Sequence, residues 1–163
     1  MCFQVSNAVP YKSYTYNYWG NPQPAPHAYI PSRVVELQGI ADDIQDIFIT
    51  DNKNIYLADG NNNQIIVLNE DYKVINIIDK FKNEGKTDYF NNPQGIFVTK
   101  QNEILIADTD QGRIVILDKN YKLIDILGSP KTNEQGVFDK HFRYRPEKIV
   151  KGVGDRIYVI ADG

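Results

Sequence analysis

The sequence predicts an all-β fold made of β-propeller blades, each a four-stranded antiparallel meander, with an incomplete ring in this chain. Three observations carry that expectation. The stretch IYLADGNNNQIIVLNEDYK at 55–73 has a gapless near-copy, ILIADTDQGRIVILDKNYK, at 104–122, and the same offset of 49 positions holds from Ile47/Ile96 through Ile77/Ile126. Each copy divides into four short apolar runs separated by polar turns, the pattern of an antiparallel meander. A third copy starts near Glu147 and reaches the same Ala-Asp pair at Ala161-Asp162. Four-stranded units that repeat every 40–50 residues or so are the mark of propeller blades. Such a unit is apolar on both faces and buries them only against a neighbour, which is why the pattern recurs.

The elements follow in order. Residues 1–31 form an aromatic, proline-rich lead, in which Pro22, Pro24, Pro26 and Pro31 exclude helix and favour extended backbone. Within it Tyr14, Tyr16 and Tyr18 alternate with Thr15 and Asn17, which predicts a strand. RVVELQGI at 33–40 predicts another. The remainder, 32–163, is expected to be a partial propeller: a blade over about 46–93, a blade over about 94–146 and a partial blade over 147–163. In each full copy the strands are DIFIT or GIFVT, IYLAD or ILIAD, IIVLN or IVILD, and VINIID or LIDILG. The connections DKFKNEGKTDYFNNP (79–93) and GSPKTNEQGVFDKHFRYRP (128–146) read as long links, each closing on a proline.

Residues 93–118, PQGIFVTKQNEILIADTDQGRIVILD, resemble the NHL repeat: a proline, a Gly-Ile-x-Val strand, a polar turn, an Ala-Asp strand end, another turn and Arg-Ile. The first copy departs from that pattern with Gln64 in place of Arg113 and Asp46 in place of Gly95. The third has an extra residue before Ala161. The lead YKSYTYNYWG (11–20) followed by such repeats is similar to a group of exported NHL-repeat proteins of Firmicutes, for which carbohydrate-related contexts are suggested. That resemblance implies an extracellular or cell-envelope location, a chain longer than this one and a signal peptide lying before Met1. Propellers close with roughly 4–8 blades. Two and a part therefore leave two options: the missing blades come from the rest of a longer chain, of which this is an N-terminal fragment, or from self-association.

Bulk properties narrow the function. Of the 163 residues, 42% are hydrophobic and 24% charged, and the net charge is −3. A packed core is within reach, and an acidic chain gives no reason to expect nucleic acid as partner. No apolar run is long enough for a membrane span. The single cysteine, Cys2, excludes a disulfide within the chain. His27 and His141 have no ligand spacing to each other or to cysteine. With four scattered serines and no G-x-S-x-G, nucleophilic hydrolysis lacks support.

The remaining candidates each have a structural and a functional reading. Asp59, Asp108 and Asp162 recur at strand ends, where a carboxylate accepts backbone N–H bonds and fixes the turn. A single active site would need different residues in different blades. Arg113 faces Asp108 across the TDQG turn, and a surface pair of this kind contributes about 0–1 kcal/mol. Asp42, Asp43 and Asp46 precede the first blade strand, where solvated loop charge is the plain reading and Ca²⁺ ligation through hard oxygens the sharper one. Tyr14, Tyr16, Tyr18 and Trp19 either pack on a core or stack on a sugar.

Two functions follow. The first is a non-catalytic binding or scaffold propeller that presents loops to a glycan, peptide or protein and needs no cofactor. The second is a metal-dependent hydrolase of the lactonase type, which six-bladed lactonases of similar fold suggest. Asp43 and Asp46, with Asn61 or Asn92, are then the candidate metal ligands.

Overall fold

A computed structural model of the chain describes residues 5–6, 14–24, 34–131 and 143–162. The chain divides into two compact units, Met1–Gln38 and Gly39–Gly163.

Among the described residues, the first unit holds two small antiparallel pairs: β1 (Val5–Ser6) with β4 (Val34–Val35), and β2 (Tyr14–Tyr16) with β3 (Pro22–Pro24). Both expected strands are shorter than the sequence pattern implied. Tyr18 and Trp19 lie in the turn after β2, not on the strand. The cause is Asn17, whose Oδ1 accepts the N–H groups of Trp19 (3.0 Å) and Asn21 (2.9 Å). Gly20, at φ 79°, completes the reversal. After β4 the chain turns at 38–40 rather than continuing extended, with Gly39 at φ 76°.

The second unit is the partial propeller. Its first blade is a four-stranded antiparallel meander of β5 (Ile44–Ile49), β6 (Ile55–Asp59), β7 (Gln64–Leu68) and β8 (Val74–Ile78). Next comes a hairpin of β9 (Lys80–Asn83) and β10 (Lys86–Tyr89), then the second blade, β11 (Pro93–Val98), β12 (Ile104–Asp108), β13 (Arg113–Leu117) and β14 (Leu123–Leu127). β15 (Arg145–Lys151) and β16 (Ile157–Asp162) form a third, two-stranded sheet.

The blades repeat down to backbone detail. Lys53 and Asn102 take left-handed backbone at matching turns (φ 64° and 63°), as do Tyr72 and Tyr121 (62° and 63°). Each first strand carries a bulge: between Ile44 and Asp46, between Pro93 and Gly95, and between Pro146 and Lys148. The hairpin is a departure from the link read at 79–93. Glu84 and Gly85 both have positive φ (49° and 80°), the signature of the tight hairpin turn that matches strand twist. Phe81 and Phe90 anchor it in the core, their ring centroids 5.3 Å apart.

Burial explains why the central strands are apolar throughout. Tyr56, Ala58, Ile65 and Val67 of the first blade meet Ile96, Val98, Ile104, Ile106, Val115 and Leu117 of the second. The opposite face of the second blade, with Leu105, Ala107 and Ile114, meets Ile149 and the half-buried Ile157 and Val159. Every residue of β6 and β12 is therefore buried. Each buried Ile, Leu or Val adds about 1.5–3 kcal/mol to the stability of this stack.

Candidate functional site

Strand ends gather turns at two mouths of the propeller unit. The first mouth collects the starts of β5, β11 and β15 and the ends of β6 and β12, and it holds most of the acidic residues singled out in the sequence. Asp59 is fully buried. Its Oδ1 accepts the N–H of Asp43 at 3.0 Å, and its Oδ2 accepts the amides of Asn62 and Gln64, each at 2.9 Å. Burial alone would raise its pKa, but these bonds together hold the carboxylate below its ordinary value.

Asp108 occupies the same place in the second blade. It is fully buried and accepts the Asn91 N–H at 2.7 Å and Arg113 Nε at 2.7 Å. Arg113 continues to Asp88, where Nη1 meets Oδ2 at 2.8 Å and Nη2 meets Oδ1 at 3.0 Å. This is a largely buried three-charge network rather than a surface pair. Burial raises the pKa of Asp108 despite the guanidinium, whereas the Arg113 hydrogen bonds pull Asp88 down to about 2. Asp162 ends β16 opposite Arg145.

The loop acids are split between separate partners. Asp42 Oδ2 accepts Asn61 Nδ2 at 3.1 Å, and Asp43 Oδ2 accepts the Gln45 amide. Asp43 and Asn92 approach one another over Gly60, where an added Cβ would lie 2.7 Å from Asn92 Oδ1 and 3.4 Å from Asp43 Oδ2. Asp46 points elsewhere. Its Oδ2 accepts the Ile96 N–H at 3.0 Å and its Oδ1 lies 3.3 Å from Lys148 Nζ. An ammonium beside a carboxylate opposes a divalent cation at the same place. Among the described residues, no group of three or more His, Cys, Asp or Glu side chains is placed to hold a metal ion.

Lys148 was not singled out in the sequence. Besides Asp46 it reaches the carbonyls of Gln45 (2.8 Å) and Gln94 (3.2 Å). Both carbonyls belong to the residues skipped by the strand bulges. A bulge leaves its extra residue out of the ladder, and one ammonium serves two such residues. Nearby, Thr109 Oγ1 donates to the Pro146 carbonyl at 2.6 Å, and Arg145 Nη1 meets Asp110 Oδ1 at 2.8 Å. These groups fasten β15 to the second blade.

The second mouth is different. Three successive turns, 50–54, 99–103 and 151–156, surround a recess of about 780 Å³. Its floor includes Phe48 and Phe97, edge to face with ring centroids 4.9 Å apart. Its rim carries Asp51, Asn52, Lys100, Gln101, Asn102 and Asp155. Lys151 is tied to Glu103 (3.1 Å) and Asp155 (3.2 Å), and these contacts, Glu103 first, raise its pKa. None of these residues has chemically distinctive spacing. The only signal in the sequence is that they occupy one repeated turn position.

In the first unit, Tyr18 and Trp19 are exposed and form an edge-to-face pair at 5.7 Å. Tyr16 is exposed on β2. Cys2, His27 and His141 lie outside the described residues.

No family model matches this sequence, and no curated protein matches it. Solved structures do. A catalytically inactive virginiamycin B lyase from Staphylococcus aureus, crystallised with quinupristin, superposes with a TM-score of 0.58 at 13% identity, covering 97% of this chain and 52% of that one. A streptogramin B lyase gives 0.48 at 13% identity, covering 91% of this chain and 40% of that one. This chain thus spans about half the length, or less, of these proteins, and at such identity the likeness to the first shows the propeller fold alone.

Proposed function

We propose that this chain belongs to a non-catalytic, NHL-type binding propeller, exported to the cell surface or medium, which presents loops to a glycan, peptide or protein. One contrast carries the reading. The carboxylates of the first mouth are already used within the protein, by backbone N–H groups, amides, Arg113 and Lys148. The second mouth instead offers an aromatic-floored recess whose rim side chains face solvent. Sites for small ligands are concave, mainly apolar, and carry a few polar groups.

The partner reading includes a further blade. Val150, Tyr158 and Ile160 are 54%, 57% and 65% exposed on one face of the β15–β16 sheet. The same face of the two preceding blades is covered by the next blade. Either a longer chain or a second copy supplies the cover, and sedimentation of Ile160→Lys against the parent chain separates the two. Loss of a concentration-dependent oligomer identifies the second copy.

The alternative, a metal-dependent lactonase-type hydrolase, draws on the approach of Asp43 and Asn92 over Gly60. That one solved neighbour is an enzyme also favours asking the question. The deciding experiment measures ligand retention and lactone turnover with Ca²⁺ and with EDTA. The binding reading expects retention unchanged by EDTA and no turnover. Ca²⁺-dependent turnover that Asp43→Asn abolishes would replace it with the hydrolase.

A further inference from the structure

The recess at the second mouth has a chemistry that selects its occupant. We infer that it is a binding site for a neutral, hydroxyl-rich ring, a sugar or cyclic polyol, held with one apolar face on Phe48 and Phe97. This rests on the reading of the chain as a binding propeller and names what that propeller takes.

Size comes first. A volume of about 780 Å³ lies within the range of ligand pockets, roughly 300–1,000 Å³, and is ample for one or two sugar rings. The edge-to-face phenylalanine pair offers ring surface to the C–H face of a pyranose. Val153, 96% exposed, adds an apolar edge from the third turn.

Charge comes next. Asp51 and Asp155 are balanced by Lys100 and Lys151 around the rim. Glu103 also pairs with Lys151, so three carboxylates stand against two ammoniums and the net charge is −1. An anionic ligand therefore meets a net charge of its own sign, which a neutral one does not feel.

The hydrogen-bonding groups suit a hydroxyl-rich ligand. Each turn is tied across its base by backbone bonds: Thr50 N–H to Asn54 O, Lys53 N–H to Thr50 O, Thr99 N–H to Glu103 O, Asn102 N–H to Thr99 O, and Gly152 N–H to Arg156 O. The strands that lead into these turns, β5, β11 and β15, lie at the edges of their sheets, and strand addition to such an edge is what main-chain peptide recognition uses, so tri-alanine is the control that separates the two ligands. At the turn tips stand the side-chain amides of Gln101 and Asn102, and the Nδ2 of Asn52, whose Oδ1 already accepts the Thr50 hydroxyl. An amide offers donor and acceptor together, the complement of vicinal hydroxyls that also do both.

The test titrates the intact chain, in EDTA, with methyl β-D-glucopyranoside, N-acetylglucosamine and, as peptide control, tri-alanine. Binding is read by saturation-transfer NMR and calorimetry. The inference expects at least one sugar to bind with its ring C–H protons saturated from aromatic resonances. Gln101→Ala, in an exposed turn, and Phe97→Leu, which keeps an apolar side chain but removes the ring, should each weaken it about tenfold or more. Replacing Trp19 by Ala should leave it unchanged. Sugar binding that survives Gln101→Ala and Phe97→Leu, or that is lost on Trp19→Ala, overturns the inference. So does tri-alanine binding without sugar binding, although that result leaves the binding propeller intact. Ca²⁺-dependent lactone turnover would remove the propeller reading itself, and the inference with it.

Discussion

Gln64 and Arg113 stand 49 positions apart at the same point of successive blades and make the same reach with different chemistry. Gln64 Nε2 donates to the Ile40 carbonyl at 2.8 Å, and Arg113 Nη2 donates to the Tyr89 carbonyl at 3.0 Å, again 49 positions on. Each also donates to the aspartate that ends its blade's second strand. What the repeat preserves is therefore a geometry, in which the turn aspartate is tied to the segment that enters the blade. Arg113 does more than Gln64, because it also neutralises Asp88.

That difference sets the cost of removal. Gln64→Ala removes neutral hydrogen bonds around Asp59 and should cost about 1–2 kcal/mol. Arg113→Ala leaves the fully buried Asp108 beside Asp88 with no cation and should cost about 3 kcal/mol or more. Arg113→Gln copies the first blade's chemistry and should fall between the two. Urea unfolding of the three variants gives the ranking. Equal losses would mean that the charge of Arg113 is irrelevant to stability.

Acid should act through the same network. The folded pKa of Asp88 is depressed to about 2, below its unfolded value near 3.9. Its contribution is present above about pH 4 and is lost as pH falls toward 2. Asp59, also depressed, adds in the same direction. Asp108 works oppositely, because burial raises its pKa and favours the protonated folded form. With Asp88 partly solvated, its share is about 1–2 kcal/mol. Asp88→Asn should be less stable than the parent at pH 6 yet lose about that much less between pH 5 and pH 2. Parallel stability profiles would exclude Asp88 as the titrating group.

How far the sequence was legible depends on what repeats. The gapless copies announce the strands, since each blade buries both faces and so writes near-continuous apolar runs. The gapless repeat starts at Ile47/Ile96, after the β9–β10 hairpin, so the repeat could not show the hairpin, although Glu84-Gly85 carries the turn chemistry. Asp88 sits on that hairpin, and the second carboxylate of Arg113 went unseen with it. Lys148 was invisible for another reason. Its partners are bulge carbonyls, and backbone groups have no letter in the sequence. The recess draws ordinary polar residues from three turns far apart in the chain, and only folding puts them around one space.

Gly95 tests how close the blades must come. An added Cβ would lie 2.3 Å from the Glu147 carbonyl oxygen and 3.1 Å from Ala107 Cβ. The obstruction is backbone, so β15 must move for Ala to fit. Gly95→Ala should therefore destabilise by about 2–3 kcal/mol. Gly128, with nothing within 4 Å of its added Cβ, supplies the control: Gly128→Ala should stay within about 0.5 kcal/mol of the parent. Urea midpoints decide it, and a neutral Gly95→Ala would show that the two sheets are not in fixed contact there.

Lys148 makes a sharper case, because its ammonium fills a small cage of oxygens: Asp46 Oδ1, Gln45 O and Gln94 O, at 3.3, 2.8 and 3.2 Å. A carboxylate and two carbonyls are also what a hard divalent cation takes. In the parent chain the lysine occupies that position, so Ca²⁺ should leave the melting temperature unchanged. Lys148→Met keeps the apolar stem but leaves the oxygens unpaired. With the side chain 44% exposed, the loss should be modest, about 1–2 kcal/mol. Ca²⁺ should then recover part of it, since a ligand that binds only the folded state stabilises it by mass action. Melting curves of both proteins, with Ca²⁺ and with EDTA, read the effect. Recovery confined to Lys148→Met would establish the ammonium as the occupant of a cation position, while a Ca²⁺ response in the parent would place a metal elsewhere in the fold.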